Sequence, residues 1–246
     1  THGITKSSTP EKPLITVVTV VYNGEATLEQ TILSVVNQTY DNVEYIIIDG
    51  ASTDGTLDII KKYEDRIDYW QSGSDKGIYD AMNKGIGLAT GEYVALLNAG
   101  DWYERNTCEI VIHEVKASHA DVYYGLLRNV NSEHEVMSVK GNTINNIARD
   151  MISHPTCFIS NEIYKKYTYS LEYKSASDYD FVARLVQDSV HFQFIEQILC
   201  NFLLGGMSSG MIGDIETNAI RYKYNYISFR LYILGKIKNT IKRIVH

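Results

Sequence analysis

Cysteine is scarce and unpatterned. The 246-residue chain carries three, Cys108, Cys157 and Cys200, with no close spacing. They form neither a disulfide framework nor a zinc pattern, so a reducing compartment is expected. No His/Cys pair has the spacing of zinc ligands. The opening stretch "THGITKSSTPEKP" lacks an apolar core, which argues against a secretory signal there. No window reaches the roughly 18 uninterrupted apolar residues of a membrane span. Glycine-rich phosphate signatures are missing too. No GxGxxG follows the first strand-like run and no GxxxxGK[ST] occurs, so dinucleotide and P-loop chemistry are disfavoured. There is no internal repeat and no low-complexity tract.

What is present suits one globular domain, since 44% of the residues are hydrophobic. The net charge of −7 hides an asymmetry. From Ala219 to His246 there are seven basic residues and no acidic one, which leaves 16 basic against 30 acidic in the rest. An acidic body does not suit nucleic-acid binding, which relies on phosphate neutralisation.

Apolar periodicity predicts strands in "LITVVTVVYN" (14–23), "VEYIIIDG" (43–50), "RIDYWQS" and "GEYVALLN". Helices are predicted in "EATLEQTILSVVNQT", "DGTLDIIKKYED" and "GIYDAMNKGIGLA". This alternation with short connections predicts an α/β fold with a mostly parallel wound sheet. After Asp101 the pattern loosens. A helix is expected at about 104–117, a strand in "DVYYGLLRNV", and loop with a short helix over 129–150. A strand and helix follow in "HPTCFISNEIYKKY", a helix in "SASDYDFVARLVQDS" and a late strand in "HFQFIEQILCNFLL". The expected divisions are a flexible 1–13, a catalytic domain over 14–210 split near residue 101, and a helical segment over 211–246.

Three strand-like runs end in polar clusters: Tyr22-Asn23-Gly24, Asp49-Gly50-Ala51-Ser52 and Asn98-Ala99-Gly100-Asp101. Each alone is ordinary turn chemistry. In open α/β sheets, however, ligands sit beyond the carboxyl ends of the strands, and three clusters on one edge argue for a site. Asp101 stays open between turn and metal ligand on this evidence.

"TVVYNGEATLEQTILSVVNQTYDNVEYIIIDGASTDGT" resembles the opening of the GT-A-fold family 2 glycosyltransferases. "SDKGIYDAMNKGIGLATGEYVALLNAGD" and "SASDYDFVARL" resemble that family's later blocks, in the same order. The likeness spans roughly residues 14–206 and includes "GGMSS" near its end. It implies that Tyr22 packs on the uracil or ribose of a UDP-sugar, with Asn23 beside it. It implies that Asp49 accepts a hydrogen bond from uracil, and that Ser52 and Asp54 shape the loop and cap the next helix. Asp75 and Lys76 would lie near ribose and diphosphate, and Asp101 would hold Mn²⁺ or Mg²⁺. Asp178 would be the general base, and His154 would line the acceptor pocket.

These roles make physical sense. A divalent cation on a departing diphosphate lowers the barrier, and such ions need few protein ligands when phosphates supply the rest. An acceptor alcohol needs a carboxylate to take its proton, and one base opposite the leaving group gives inversion. The chain also departs from the family. Asn98, Ala99 and Gly100 stand where further carboxylates are common, so metal and ribose binding would lean on Asn98 and backbone groups. Ser177 precedes Asp178 where Glu is common, and Asp180 is a rival base. With Trp70 and Trp102 the only tryptophans, the QxxRW motif of processive members is absent after Asp178. Transfer of a single sugar is expected.

Ile220, Tyr224, Ile227, Leu231, Leu234, Ile237, Ile241 and Ile244 recur at helical spacing among the basic residues of the tail. One reading is a helix on an anionic membrane surface, and the other is a helix packed on the body or on a second subunit. A break is expected near Gly235. The expected function is transfer of a hexose or N-acetylhexosamine from a UDP-sugar to a polyprenyl-diphosphate-linked saccharide. The expected place is the cytoplasmic face of a bacterial membrane, in surface-polysaccharide synthesis such as O-antigen or capsule. The alternatives are a sugar-nucleotide nucleotidyltransferase and a catalytically inactive nucleotide-sugar binder.

Overall fold

A computed structural model describes residues 6–205 and 211–245, the side chains of 211 and 240–245 excepted. Of the "GGMSS" block, only Gly205 falls among the described residues. The first half runs β1 (Ile15–Val21), α1 (Leu28–Val36), β2 (Val43–Asp49), α2 (Thr56–Lys62), β3 (Tyr69–Ser72), α3 (Ile78–Leu88) and β4 (Tyr93–Leu96). Each element falls where the periodicity expects it. β1 pairs in parallel with β2 and β4, and β2 with β3. Alternate residues feed two cores. Val17, Tyr45 and Ile47 share one with Leu28, Ile32 and Ile60, whereas Val18, Val20, Ile46 and Ile48 share the other with Met82 and Ile86. Burial on both faces is why these strands read as unbroken β-branched runs.

The second half continues the same sheet. It adds β5 (Trp102–Tyr103), α4 (Thr107–Ala117), β6 (Val122–Val130), β7 (Val136–Lys140), β8 (Phe158–Ser160), α5 (Asn161–Tyr164), α6 (Ser177–Gln187) and β9 (Phe192–Leu203). Among the described residues the sheet order is β3-β2-β1-β4-β8-β6-β9-β5, with β7 on β6. β8 runs antiparallel between β4 and β6, and β9 runs parallel to β6. β1 to β4, β6 and β9 therefore all end on one edge. The polar stretch expected as loop contains the strand β7, whose five residues are all exposed. With no buried face, it carries no alternation to read. The expected short helix there is a single turn of 3₁₀-helix at Ile144–Asn146.

The ends differ from expectation. Residues 6–13, expected to be flexible, make specific contacts. Lys6 Nζ meets Asp68 at 2.7 Å, and Asn42 Nδ2 donates to Ser7 O and Lys12 O at 3.0 and 2.9 Å. The tail forms two helices, α7 (Met211–Lys223) and α8 (Phe229–Val245). They part at Asn225, whose φ of 59° is the left-handed stop common after a helix. Gly235, the expected break, lies inside α8 against Asn218.

Candidate active site

Strand register brings the polar clusters together. Val21 is level with Asp49, and Asp49 with Ser72. Past the strand ends the backbone turns left-handed at Asn23 (φ 51°), Ala51 (φ 64°) and Gly100 (φ 101°). Such turns at a strand edge re-aim backbone and side chains at a common space. The alanine's turn costs about 1 kcal/mol.

Tyr22, Gly50 and Asp75 form one wall. The Tyr22 ring is 61% exposed. A Cβ on residue 50 would sit 2.7 Å from Asp75 Oδ2 and 3.5 Å from Tyr22, so only glycine leaves this slot open. Asp75 Oδ1 accepts from Gly77 N at 2.8 Å, which turns the chain into α3. Lys76 is exposed beside it, and its N–H donates to Asp80 at 3.0 Å. Asn23 holds two loops together. Its N–H donates to Ser52 Oγ at 2.7 Å and its Oδ1 accepts from Thr53 N at 2.9 Å. Asp54 accepts from Thr56 N at 3.1 Å and so serves the start of α2, as expected.

Asp49 anchors the loop that follows β2. It is fully buried, and its carboxylate accepts from Ser52 Oγ at 2.5 Å, Ser52 N at 3.1 Å and Ser72 Oγ at 2.6 Å. Its work is to fix the loop that carries Gly50.

Asp101 is the opposite case. It is 5% exposed, and the hydrogen bond to its carboxylate comes from Leu203 N at 3.3 Å. Burial lifts its pKa from 3.8 to about 8, against the small opposing effect of that N–H. Thr31 of α1 secures the loop by donating to Asp101 O at 2.8 Å and accepting from Gly100 N at 3.0 Å. Asn98 Oδ1, three residues back, is buried with no partner. An underbonded carboxylate and an orphaned amide oxygen are hard oxygen donors, and they fit a divalent cation. Among the described residues no three His, Cys, Asp or Glu gather to hold an ion. A cation here would draw its remaining ligands from a diphosphate.

Asp178 and Asp180 part company at the start of α6. Asp180 is 2% exposed and fully engaged, by Arg184 Nε at 3.0 Å, Lys223 Nζ at 2.9 Å and the Tyr224 hydroxyl at 3.0 Å. It ties α6 to α7, which corrects its expected place as rival base and acceptor contact. Asp178 is half-buried and lacks a Lys or Arg partner among the described residues. It accepts from the Tyr79 hydroxyl at 3.2 Å and from Tyr179 N at 2.9 Å. Burial raises its pKa, while nearby His154 and these donors oppose the rise. Burial and the Asp178 charge push the Tyr79 phenol up, so it stays a donor. His154 is buried and its Nε2 has no partner, as is true of the neighbouring Ser177 Oγ. Burial lowers the His154 pKa, which keeps the ring neutral at pH 7. A carboxylate without a cationic partner, close enough to His154 to feel it, and two orphaned polar atoms in this region suit a hydroxyl-bearing ligand.

The chain matches the family model "Glycosyl transferase family 2" over residues 16–191, and it belongs to that family. It is 25% identical over 241 residues to an uncharacterized glycosyltransferase of Haemophilus influenzae, covering 95% of this chain and 93% of that one. It is 39% identical over 101 residues to the putative teichuronic acid biosynthesis glycosyltransferase TuaG of Bacillus subtilis, 40% of each chain. In fold it is similar to S. aureus TarS 1-349 in complex with UDP-GlcNAc. The TM-score is 0.73 and the identity 19%, over 90% of this chain and 66% of that one. The fold is GT-A and the protein is a glycosyltransferase.

Sequence reasoning missed Ser72, Thr31 and Tyr79, which hold Asp49, the Asp101 loop and Asp178. None carries a local signal, because each acts on a residue brought near only by the fold.

Proposed function

We propose that the protein is an inverting, non-processive transferase. It moves a hexose or N-acetylhexosamine from a UDP-sugar to a lipid-linked saccharide, with Mn²⁺ or Mg²⁺ as cofactor. The observation that carries this reading is Asp178: a half-buried carboxylate without a cationic partner, beside the orphaned Nε2 of His154. The nucleoside rests against Tyr22 over Gly50, with Asp75 and Lys76 toward ribose and diphosphate. Asp101 and Asn98 hold the cation, which when bound neutralises charge on the departing diphosphate. Asp178 takes the proton from the acceptor hydroxyl as its oxygen bonds to the anomeric carbon. The bond from that carbon to the diphosphate oxygen breaks on the opposite face, UDP leaves, and the configuration inverts. Tyr79 and the Tyr179 N–H orient the carboxylate, and His154 offers a neutral partner to the acceptor.

Two features support a lipid-linked acceptor in bacterial surface-polysaccharide synthesis, met at the cytoplasmic membrane face. TuaG is named for such a pathway. On α8, Phe229, Leu231, Leu234 and Ile237 are each more than half exposed, and every charged residue from Ala219 onward is basic. No helix of the described residues is long and apolar enough to cross a membrane. Surface adsorption is therefore the mode proposed.

The test is a panel of UDP- and GDP-sugars with Mn²⁺, read as released nucleotide, with and without lipid-diphosphate-GlcNAc. Acceptor-dependent UDP release is expected. UDP affinity without release would mark an inactive binder, and release confined to GDP-sugars would overturn the donor assignment.

A further inference from the structure

Glu216 of α7 collects three backbone N–H groups, those of Lys174, Ser175 and Ala176, at 2.9, 2.9 and 3.0 Å. These residues lead directly into α6, whose cap residue Ala176 has no side chain to offer its first turn. Three converging N–H groups make an anion site, and here the protein fills it from within. Seven residues further on, about 10 Å along the helix axis, Lys223 and then Tyr224 grip Asp180. Between them, Arg221 Nη2 donates to Arg149 O at 2.5 Å, and its Nε reaches the Tyr179 hydroxyl at 3.4 Å. That hydroxyl donates to Ile147 O at 2.6 Å. Asp178 lies between the two grips. Its own carboxylate bends back onto Tyr179 N, so its aim depends on how the first turn of α6 is held.

We infer that Glu216 is a positioning residue for the base: α7 clamps the entry to α6 so that Asp178 faces the acceptor hydroxyl. This rests on the reading of Asp178 as proton acceptor. It makes α7 part of the catalytic unit rather than an appendage. Misplacing a reacting group by about 1 Å costs on the order of a hundredfold in rate. The lost grip should therefore appear in turnover and leave the donor site alone.

The test compares the wild-type chain with Glu216→Ala, Glu216→Gln and Asp178→Asn. It reads kcat and donor KM with the best UDP-sugar of the panel, the pH profile of kcat, the unfolding midpoint, and affinity for UDP with Mn²⁺. Glu216→Ala should lower kcat by about tenfold to a hundredfold while donor KM and UDP affinity stay within about twofold. The acidic limb of its pH profile should shift. Glu216→Gln keeps one acceptor oxygen for Ser175 and Ala176 and should recover part of the loss. Transfer lost in Asp178→Asn but intact in Glu216→Ala overturns the clamp and spares the base. Transfer intact in Asp178→Asn removes the base assignment, and the clamp with it. A loss in Glu216→Ala matched by UDP affinity marks a merely structural role. Should the alanine variant not fold, a folded Glu216→Gln with wild-type kcat and pH profile overturns the inference.

Discussion

Asp101→Asn should stabilise the metal-free protein at high pH and abolish its response to a divalent cation. Asp101 is nearly sealed from water, and its carboxylate receives a hydrogen bond from Leu203 N. Burial lifts its pKa from 3.8 to about 8. Between those values the folded protein holds a proton that the unfolded chain has released. The stabilising effect of that proton is complete at low pH. It is lost as pH rises through this window, and the loss levels off above about 8. A rise of about four units at ~1.4 kcal/mol per unit sets a ceiling of roughly 6 kcal/mol on the loss. Relaxation and water entry bring the expected difference to about 2–3 kcal/mol. The amide has no charge to desolvate. The assay is urea unfolding of both proteins at pH 5.5 and 8.5, without metal and then with Mn²⁺ and UDP. Other titrating groups, Asp178 and His154 among them, are common to both proteins and cancel in the difference. At pH 8.5 the variant should be the more stable without metal, and only the wild type should gain the metal-dependent part of ligand stabilisation. Parallel pH dependence of the two proteins, or an equal gain with Mn²⁺, would mean that Asp101 is neither the buried titrating group nor the metal ligand.

Tyr79→Phe removes a donor to the charged form of Asp178, so the acidic limb of kcat should move to higher pH by up to about one unit. An unmoved limb would mean that the 3.2 Å contact does not act on the base. Deleting α8 after Ser228 cuts at the observed break and leaves the Lys223 and Tyr224 contacts of α7 in place. Binding to anionic liposomes should fall steeply, since each basic residue near such a surface contributes about 1 kcal/mol. Turnover with a water-soluble acceptor should persist. Unchanged liposome binding would assign the exposed face of α8 to something other than lipid.

The nucleotide half was legible because β1, β2 and β4 are buried on both faces and its helices on one, so periodicity names these elements. β7 and β5 were not legible, one being wholly exposed and the other two residues long. The tail's break lies at Asn225, where asparagine adopts the left-handed stop that glycine more often marks. At the site, motif order pointed to Asp101 and favoured Asp178 over Asp180, but the physical ground for that preference was not legible. That ranking depends on Lys223 and Tyr224, more than forty residues away. The anchoring contacts of Asp49 were illegible for the same reason. Ser72, one strand over in the sheet, donates to the Asp49 carboxylate.

The most direct test of the central claim is Asp178→Asn under saturating donor and acceptor. UDP affinity should stay near wild type and transfer should fall by at least about a hundredfold, the usual scale of a lost general base. Transfer within a fewfold of wild type would contradict that claim and leave the chain without a proton acceptor at the one free carboxylate of α6.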